Sequence, residues 1–203
     1  MATPLGHALA GLSIACLIRR PREVSSPRWL AFSVVAANLA DADFILGFLI
    51  GDINRFHQLF SHTFLAACLF GAAIALTAPS WRLSLGSRRL WLVSAGLYAS
   101  HLALDFLTRD QRAPFGQFLF WPLWPEALIS SWTPFGGIKH GVPGDSILEF
   151  VENLFSVQNL WVLALEFAVL GPFFCLACLA AARRDAWMKI ATRSGAQAER
   201  EGF

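Results

Sequence analysis

The chain has 203 residues, of which 56% are hydrophobic and only 15% are charged, and its formal net charge at pH 7 is +2. Soluble domains carry charge on about a quarter of their residues. The composition therefore excludes an ordinary soluble domain and favours a lipid bilayer as the solvent. So small a net charge gives no sign of a nucleic-acid partner, and we expect none.

Five apolar segments follow one another along the chain, at residues 5–18, 29–50, 60–79, 90–108 and 158–182. Four of them approach the ~20 residues that a helix needs to cross a bilayer, and the first is shorter. Positive charges follow the first segment instead of preceding it, which is the reverse of a cleavable signal peptide. The pattern predicts an all-α polytopic membrane helix bundle with about five transmembrane helices. We expect one domain over residues 1–185 and a polar, disordered cytoplasmic tail over residues 186–203.

The basic residues are distributed unevenly between the two sides of this bundle. Twelve of the 16 Lys and Arg residues follow the first, third and fifth segments or lie in the C-terminal tail. The positive-inside rule places those stretches in the cytoplasm. The turn at 51–59 and the long connection at 109–157 then face outward, and the chain begins outside.

The connection at 109–157 is too long to be a simple turn, so we expect it to carry structure or function. Its aromatic, proline-broken part predicts a re-entrant or interfacial segment, with Trp121, Trp124 and Trp132 at the depth of the lipid headgroups. A short amphipathic helix is predicted after it, with Ser146 as the N-cap.

Histidine and aspartate side chains occur in or beside four apolar segments, all toward the predicted outward end. They are His7, Asp41, Asp43, His57, His62, His101 and Asp105. An ionised Asp near the bilayer centre costs about 2.5–3.5 kcal/mol on insertion scales, and no Lys or Arg in these spans compensates for it. A divalent cation would compensate directly. Imidazole with carboxylate is the ligand mixture that suits zinc, and sets of this size also suit two-metal hydrolytic sites.

Simpler interpretations exist for each residue taken alone. His101 and Asp105 are four residues apart on one helix face, where they could form a buried hydrogen bond or a pair of metal ligands. Asp41 and Asp43 are about 200° apart on a regular helix, so either the helix unwinds near Asn38 or one of the two carboxylates takes a supporting position. The convergence of all seven residues at one depth is what favours a metal site.

Six sequence blocks support this interpretation by resemblance. In order they read TPLGHALAG, NLADADF, FHQLFSHT, SHLALDFLT, LFWPLWP and GVPGDSILEF. Together they resemble the YdjM-type family of bacterial inner-membrane, metal-dependent hydrolases, over residues 3–170. The resemblance implies that the seven His and Asp residues form the metal site, and Trp121 with Pro122 also matches a family motif.

The chain departs from the family pattern at Gln58, where the family often has Arg. If that Arg contacts a substrate anion, then Arg55, Arg109 or Arg112 would have to replace it. We also expect Trp121 and His140 to contact the substrate.

The sequence therefore predicts a metal-dependent hydrolase that uses one or two divalent cations, with zinc as the first choice. Its substrate is expected to be a phosphoester or ester of a lipid or lipid-linked molecule, cleaved near the outer, periplasmic face of the inner membrane. Asp43 or Asp105 is the expected general base. A distant analogy to zinc-dependent phospholipase C favours phosphoesters. The alternative is a non-enzymatic membrane protein, either an ion or proton transporter or a metal-stabilised structural or regulatory protein.

Overall fold

A computed structural model describes the chain at residues 1–18, 26–81, 86–110, 115–142 and 144–201. The helices in this part of the chain are α1 (Pro4–Ile18), α2 (Pro27–Asn38), α3 (Asp43–Leu49), α4 (Phe64–Trp81), α5 (Ser87–Phe106), α6 (Ile147–Leu154) and α7 (Val157–Glu201). Two short 3₁₀ helices, Leu39–Ala42 and Phe60–His62, precede α3 and α4. No strand forms among the described residues, so the predicted all-α fold is confirmed there.

The helix starts follow ordinary capping chemistry. Pro27 opens α2 at a position where its missing N–H costs nothing. Ser146 caps α6 as predicted, because its side chain accepts from the Glu149 backbone N–H while the Glu149 carboxylate accepts from Ser146. Helix α6 is therefore a well-defined element and not a fraying turn.

Helices α1 and α5 are at the centre of the bundle. Helix α1 packs against α2, α5 and α7, and α5 packs against α1, α2 and α4. One apolar cluster fills the space between α1, α2 and α5, and its buried members are Ala15, Trp29, Ala36, Val93 and Leu97. A Cβ built on Gly11 would lie 2.6 Å from the Ala37 Cβ, so α1 and α2 approach each other at backbone distance.

The structure does not confirm the predicted number of five membrane spans. Among the residues that the structure describes, two helical stretches are long and apolar enough to cross a membrane, Pro27–Leu49 and Val157–Ala191, whereas Pro4–Ile18 and Phe64–Thr77 are apolar but shorter. At 1.5 Å per residue the 15 residues of α1 extend over about 22 Å, less than the ~30 Å of a hydrocarbon core. Helix α5 has 20 residues but begins with Arg88 and Arg89 next to its cap.

Helix α7 extends through Glu201, so the backbone of residues 186–201 is helical where a disordered tail was expected. The stretch is rich in Ala, Arg and other strong helix formers. An i,i+4 pair between Asp185 and Lys189, with 3.9 Å between its charged atoms, lies at the start of this extension. The division of the chain at residue 185 stays a prediction.

The long connection folds back over the end of the bundle. The Phe64 N–H donates to the Leu119 carbonyl over 2.8 Å, and the Ile138 N–H donates to the Met1 carbonyl over 3.2 Å. The Trp121–Pro122 peptide bond is cis, and Trp121, Trp124 and Trp132 are exposed. This connection covers the helix ends that carry the His and Asp residues predicted from the sequence as a metal site.

Candidate metal site

The described structure brings the seven predicted His and Asp side chains together at one end of the bundle. They come from the first turn of α1, the 3₁₀ helix after α2, the start of α3, the turn before α4 and the last two turns of α5. Helices α1 and α5 run in opposite directions, so the start of α1 meets the end of α5 and His7 Nε2 lies 3.3 Å from Asp105 Oδ1. All of the histidine side chains in this cluster are buried.

Four donor atoms lie close together in the cluster, and five of the six separations between them are known. The Nε2 atoms of His62 and His101 are 3.3 Å apart. Asp41 Oδ1 lies 3.5 Å and 3.4 Å from those two nitrogens, and Asp105 Oδ2 lies 3.6 Å and 3.4 Å from them. Zinc bonds to N and O of about 2.0–2.2 Å require donors about 3.3–3.6 Å apart in a tetrahedron. The five donor separations therefore fit a tetrahedral cation.

The same four-atom set contains polar atoms that the rest of the protein leaves without a hydrogen bond. Within the described part of the chain, both oxygens of Asp41 and the Oδ2 of Asp105 are buried and have no hydrogen-bond partner. A buried carboxylate oxygen without a partner is strongly unfavourable. A divalent cation would satisfy these oxygens, so the residues present fit a metal ion.

Hydrogen bonds on the far side of each imidazole point its metal-binding nitrogen toward the cluster. His101 Nδ1 donates to the Ala37 carbonyl over 2.9 Å, so the lone pair is on Nε2. Ser61 donates its hydroxyl hydrogen to Asp43 Oδ2 over 2.6 Å, so the Ser61 oxygen accepts from His62 Nδ1 at 3.0 Å. Such contacts orient metal-binding imidazoles and fix their tautomer.

The geometry resolves how Asp41 and Asp43 both face the cluster. The 3₁₀ turn Leu39–Ala42 interrupts the regular helix between α2 and α3, which is the unwinding that the sequence left open. Asp41 reaches the Nε2 side of His62, whereas Asp43 Oδ2 lies 3.4 Å from its Nδ1. Asp43 therefore contacts the Nδ1 side of the His62 and His57 rings. This is the supporting position that the sequence allowed for one of the two carboxylates.

His57 lies on the edge of the cluster. Its Nδ1 is 3.1 Å from Asp43 Oδ1 and its Nε2 is 3.1 Å from Met1 Sδ. The ring stacks on Phe44 with 4.1 Å between centroids. Burial lowers the pKa of His57 below its ordinary value despite the neighbouring carboxylate, so the imidazole is neutral at pH 7, the form that binds metals and accepts protons.

His7 covers the other side of the set. Its ring stacks on His101 with 3.7 Å between centroids and an interplanar angle of 11°. Its Nε2 lies 3.3 Å from Asp105 Oδ1. Within the described ranges, two groups of three side chains have ligand atoms close enough to hold a metal ion, namely His7, His101 and Asp105, and Asp41, His57 and His62. The cluster thus has donors for one or two ions.

The residues predicted to bind substrate do not lie together as the seven His and Asp residues do. His140 is buried beside the cluster, with its ring edge-on to His57 at 5.1 Å. Arg55 and Arg109 are exposed. Trp121 lines an apolar hollow on the outside of the long connection, and Arg112 lies outside the described residues. Their roles toward a substrate stay predictions.

Several polar partners of the cluster were not predicted from the sequence. Ser61 and Asn54 are small polar residues of a kind found in any loop, so their residue types alone do not distinguish them. Asn54 Oδ1 accepts from His140 Nδ1 over 2.9 Å. Glu166 pairs within the bundle, because its carboxylate accepts from the backbone N–H and the hydroxyl of Thr3.

Fold and site together define a helical protein with candidate membrane spans and a buried His/Asp cluster that fits a metal ion. The chain belongs to the YdjM inner membrane protein family, whose model matches residues 1–188. The resemblance drawn from the six sequence blocks is thereby confirmed, and as a member of this family the protein contacts the lipid bilayer of an inner membrane. Neither a curated protein nor a solved structure matches the chain significantly.

Proposed function

We propose that this protein is a metal-dependent hydrolase of the inner membrane that cleaves a phosphoester or ester in a lipid or lipid-linked substrate. The close spacing of two imidazole nitrogens and two carboxylate oxygens, with five donor separations that match those around a zinc ion, carries the proposal. A site that only stabilised the bundle would have no need of further histidines at its edge, yet His57 and His7 adjoin the four-atom set.

His62, His101, Asp41 and Asp105 would hold the cation, and zinc is our first choice because imidazole with carboxylate is its usual ligand mixture. When bound, such a cation supplies a Lewis acid that activates water at neutral pH. Asp105 serves best as a ligand, since its Oδ1 already accepts from the Ala2 N–H over 2.6 Å and its Oδ2 belongs to the four-atom set.

Proton transfer falls to the pair formed by Asp43 and His57. Asp43 Oδ1 accepts from His57 Nδ1, so the lone pair of the neutral ring is on Nε2. That nitrogen faces the weakly accepting sulfur of Met1, which leaves it able to take up a proton. Of the two carboxylates predicted as bases, Asp43 therefore acts through His57 and Asp105 does not act as a base.

We further propose that α1, α2 with α3, α4, α5 and α7 all lie within the membrane, with the cluster at the periplasmic end. The distribution of Lys and Arg supports this orientation. The shorter α1 is flanked by α2, α5 and α7. These neighbours surround it within the bundle, so α1 can lie in the membrane although it is too short to span the bilayer alone. The long connection covers the cluster from the outer side and excludes bulk water from it.

The test is a combined measurement of metal content and hydrolysis on the protein purified in detergent. We expect at least one zinc per chain, and hydrolysis in a panel of phosphatidic acid, a prenyl diphosphate and a carboxylic-ester lipid. His62→Ala and Asp41→Asn should lose both metal and activity, whereas Leu76→Ala, on an exposed face of α4, should lose neither. Bound zinc without hydrolysis of any member of the panel would contradict the enzyme and favour a metal-stabilised protein.

A further inference from the structure

An apolar groove of about 540 Å³ runs along the outside of the bundle between α1 and the α2–α3 pair, within the size range of ligand sites. Leu5, Val35 and Ile45 form its walls and are 50%, 59% and 60% exposed. Two of these three residues belong to the candidate membrane span Pro27–Leu49. In a membrane, this groove is therefore open to lipid and not to water.

The groove meets the metal cluster at Asp41. Asp41 lines the groove, and its Oδ1 is also one of the four donor atoms of the cluster, 3.4 Å from His101 Nε2. Its side chain is 13% exposed, whereas the side chains of Asp43 and Asp105 are 1% and 0% exposed. Among the carboxylates of the cluster, Asp41 is thus the one that adjoins the groove, with its two oxygens buried just beneath the groove surface.

Asn38 adds an unsatisfied acceptor to the groove lining. Its Nδ2 donates to the Val34 carbonyl over 2.9 Å, which fixes the orientation of the amide. Its Oδ1 is buried and, among the residues described, has no donor. A buried amide oxygen of this kind costs about 1–3 kcal/mol unless a donor reaches it. Since it lines the groove beside Asp41, a ligand hydroxyl lying there would satisfy it.

We propose that the groove binds the apolar chain of a membrane lipid whose anionic phosphate reaches the cation at Asp41 and whose hydroxyl donates to Asn38. The inference rests on the proposed function for the cation, and it specifies the substrate class and the side from which the substrate enters. Another helix packed in the groove would leave the Asn38 acceptor unpaired and bury Asp41 further. A phosphate next to Asp41 would be repelled in the absence of a cation, so occupancy depends on the metal.

A second opening supplies the water that hydrolysis consumes. Asp105 lines a separate small pocket with Gln58, Thr108, Gln117 and Ser130. Its volume of about 30 Å³ is enough for one or two water molecules, and the side-chain amides and hydroxyls in its lining can hydrogen-bond to them. Lipid and water thus approach the cluster through different surfaces, one at Asp41 and one at Asp105.

The experiment uses the full chain in phosphatidylcholine vesicles that contain phosphatidic acid with a photoactivatable diazirine on its acyl chain. Crosslinked residues are mapped by mass spectrometry with zinc and with a chelator. With zinc we expect crosslinks along residues 5–8 and 34–45 about tenfold above those at Leu69 and Leu76, exposed leucines of α4, a ratio equivalent to about 1.4 kcal/mol of preference. The chelator should abolish the excess.

Substitutions distinguish a lipid bound in the groove from the lipids that surround all membrane-exposed faces of the protein. Val35→Trp and Ile45→Trp replace exposed groove residues and should fold, and each should remove the excess crosslinking, whereas Leu76→Trp should not. Crosslinks spread evenly over all exposed helix faces, unchanged by chelator and by both groove substitutions, would overturn the proposal. Groove crosslinking without lipid hydrolysis would support the groove and contradict the hydrolase. Lipid hydrolysis with even crosslinking would contradict the groove alone.

Discussion

Helices α1 and α2 pack at backbone distance at Gly11, and α2 also contacts the metal site. Gly11→Ala would therefore disturb both the helix packing and the metal site. A Cβ at residue 11 would lie 2.6 Å from the Ala37 Cβ and 2.8 Å from the Ser33 carbonyl oxygen. Carbon atoms in contact prefer separations of about 3.5–4.0 Å. The two helices must therefore separate by about 1 Å to accommodate one methyl group.

The expected magnitude follows from two opposing terms. Overpacking a well-filled interface costs about 1–3 kcal/mol, and Ala in place of Gly within a helix returns about 0.5–1 kcal/mol. The net loss in the free energy of unfolding is about 1 kcal/mol. The Ala37 carbonyl also accepts from His101 Nδ1 over 2.9 Å, so moving α2 weakens the contact that orients His101. Losing such a contact lowers metal affinity about 10–100-fold.

The assay compares Gly11→Ala with Gly96→Ala in detergent, because a Cβ at Gly96 on α5 meets nothing within 4 Å. Thermal unfolding of the metal-free protein gives the stability, and competition with a zinc chelator gives the affinity. Gly11→Ala should unfold earlier and bind zinc about tenfold more weakly. Gly96→Ala should unfold slightly later and bind zinc normally. Equal behaviour of the two variants in both measurements would refute the coupling of α1–α2 packing to the metal site.

Three further outcomes are expected. Ser61→Ala removes the hydroxyl that donates to Asp43 and should weaken zinc binding about tenfold in the chelator assay; unchanged affinity would mean that the hydroxyl does not orient the site. Glu166→Leu leaves the Thr3 backbone N–H without its acceptor and should cost about 1–3 kcal/mol in thermal unfolding, whereas Glu166→Gln keeps an acceptor and should cost less, so equal losses would argue against this hydrogen bond. A reporter fused after Arg184 should be active in the cytoplasm, and a periplasmic signal there would reverse the proposed orientation.

The sequence predicted the helices well where composition alone determines them. Apolar segments 5–18 and 90–108 correspond closely to α1 and α5. The segment 29–50 was expected as one span, yet a 3₁₀ turn divides it into α2 and α3. Hydropathy indicates whether a helix prefers lipid or water, but it does not indicate which helices pack against it. It therefore could not show that the short α1 lies against three other helices.

The candidate site was predicted from residue types that are costly in an apolar segment. This reasoning found all seven His and Asp residues, because a buried carboxylate or imidazole requires a partner. It could not find Ser61, since an isolated serine is inexpensive almost anywhere. Nor could it find the Ala37 carbonyl that orients His101, because every residue has a carbonyl and only the folded backbone shows which one is accepting.

The central claim is that His62, His101, Asp41 and Asp105 hold one divalent cation. Anomalous diffraction at the zinc edge, from crystals of the full chain grown with zinc, tests it most directly. We predict an anomalous peak between the two Nε2 atoms and the two carboxylate oxygens, with bond lengths of about 2.0–2.2 Å. A zinc-free cluster, with these side chains hydrogen-bonded to one another or to water, would contradict the claim, as would zinc bound at other residues.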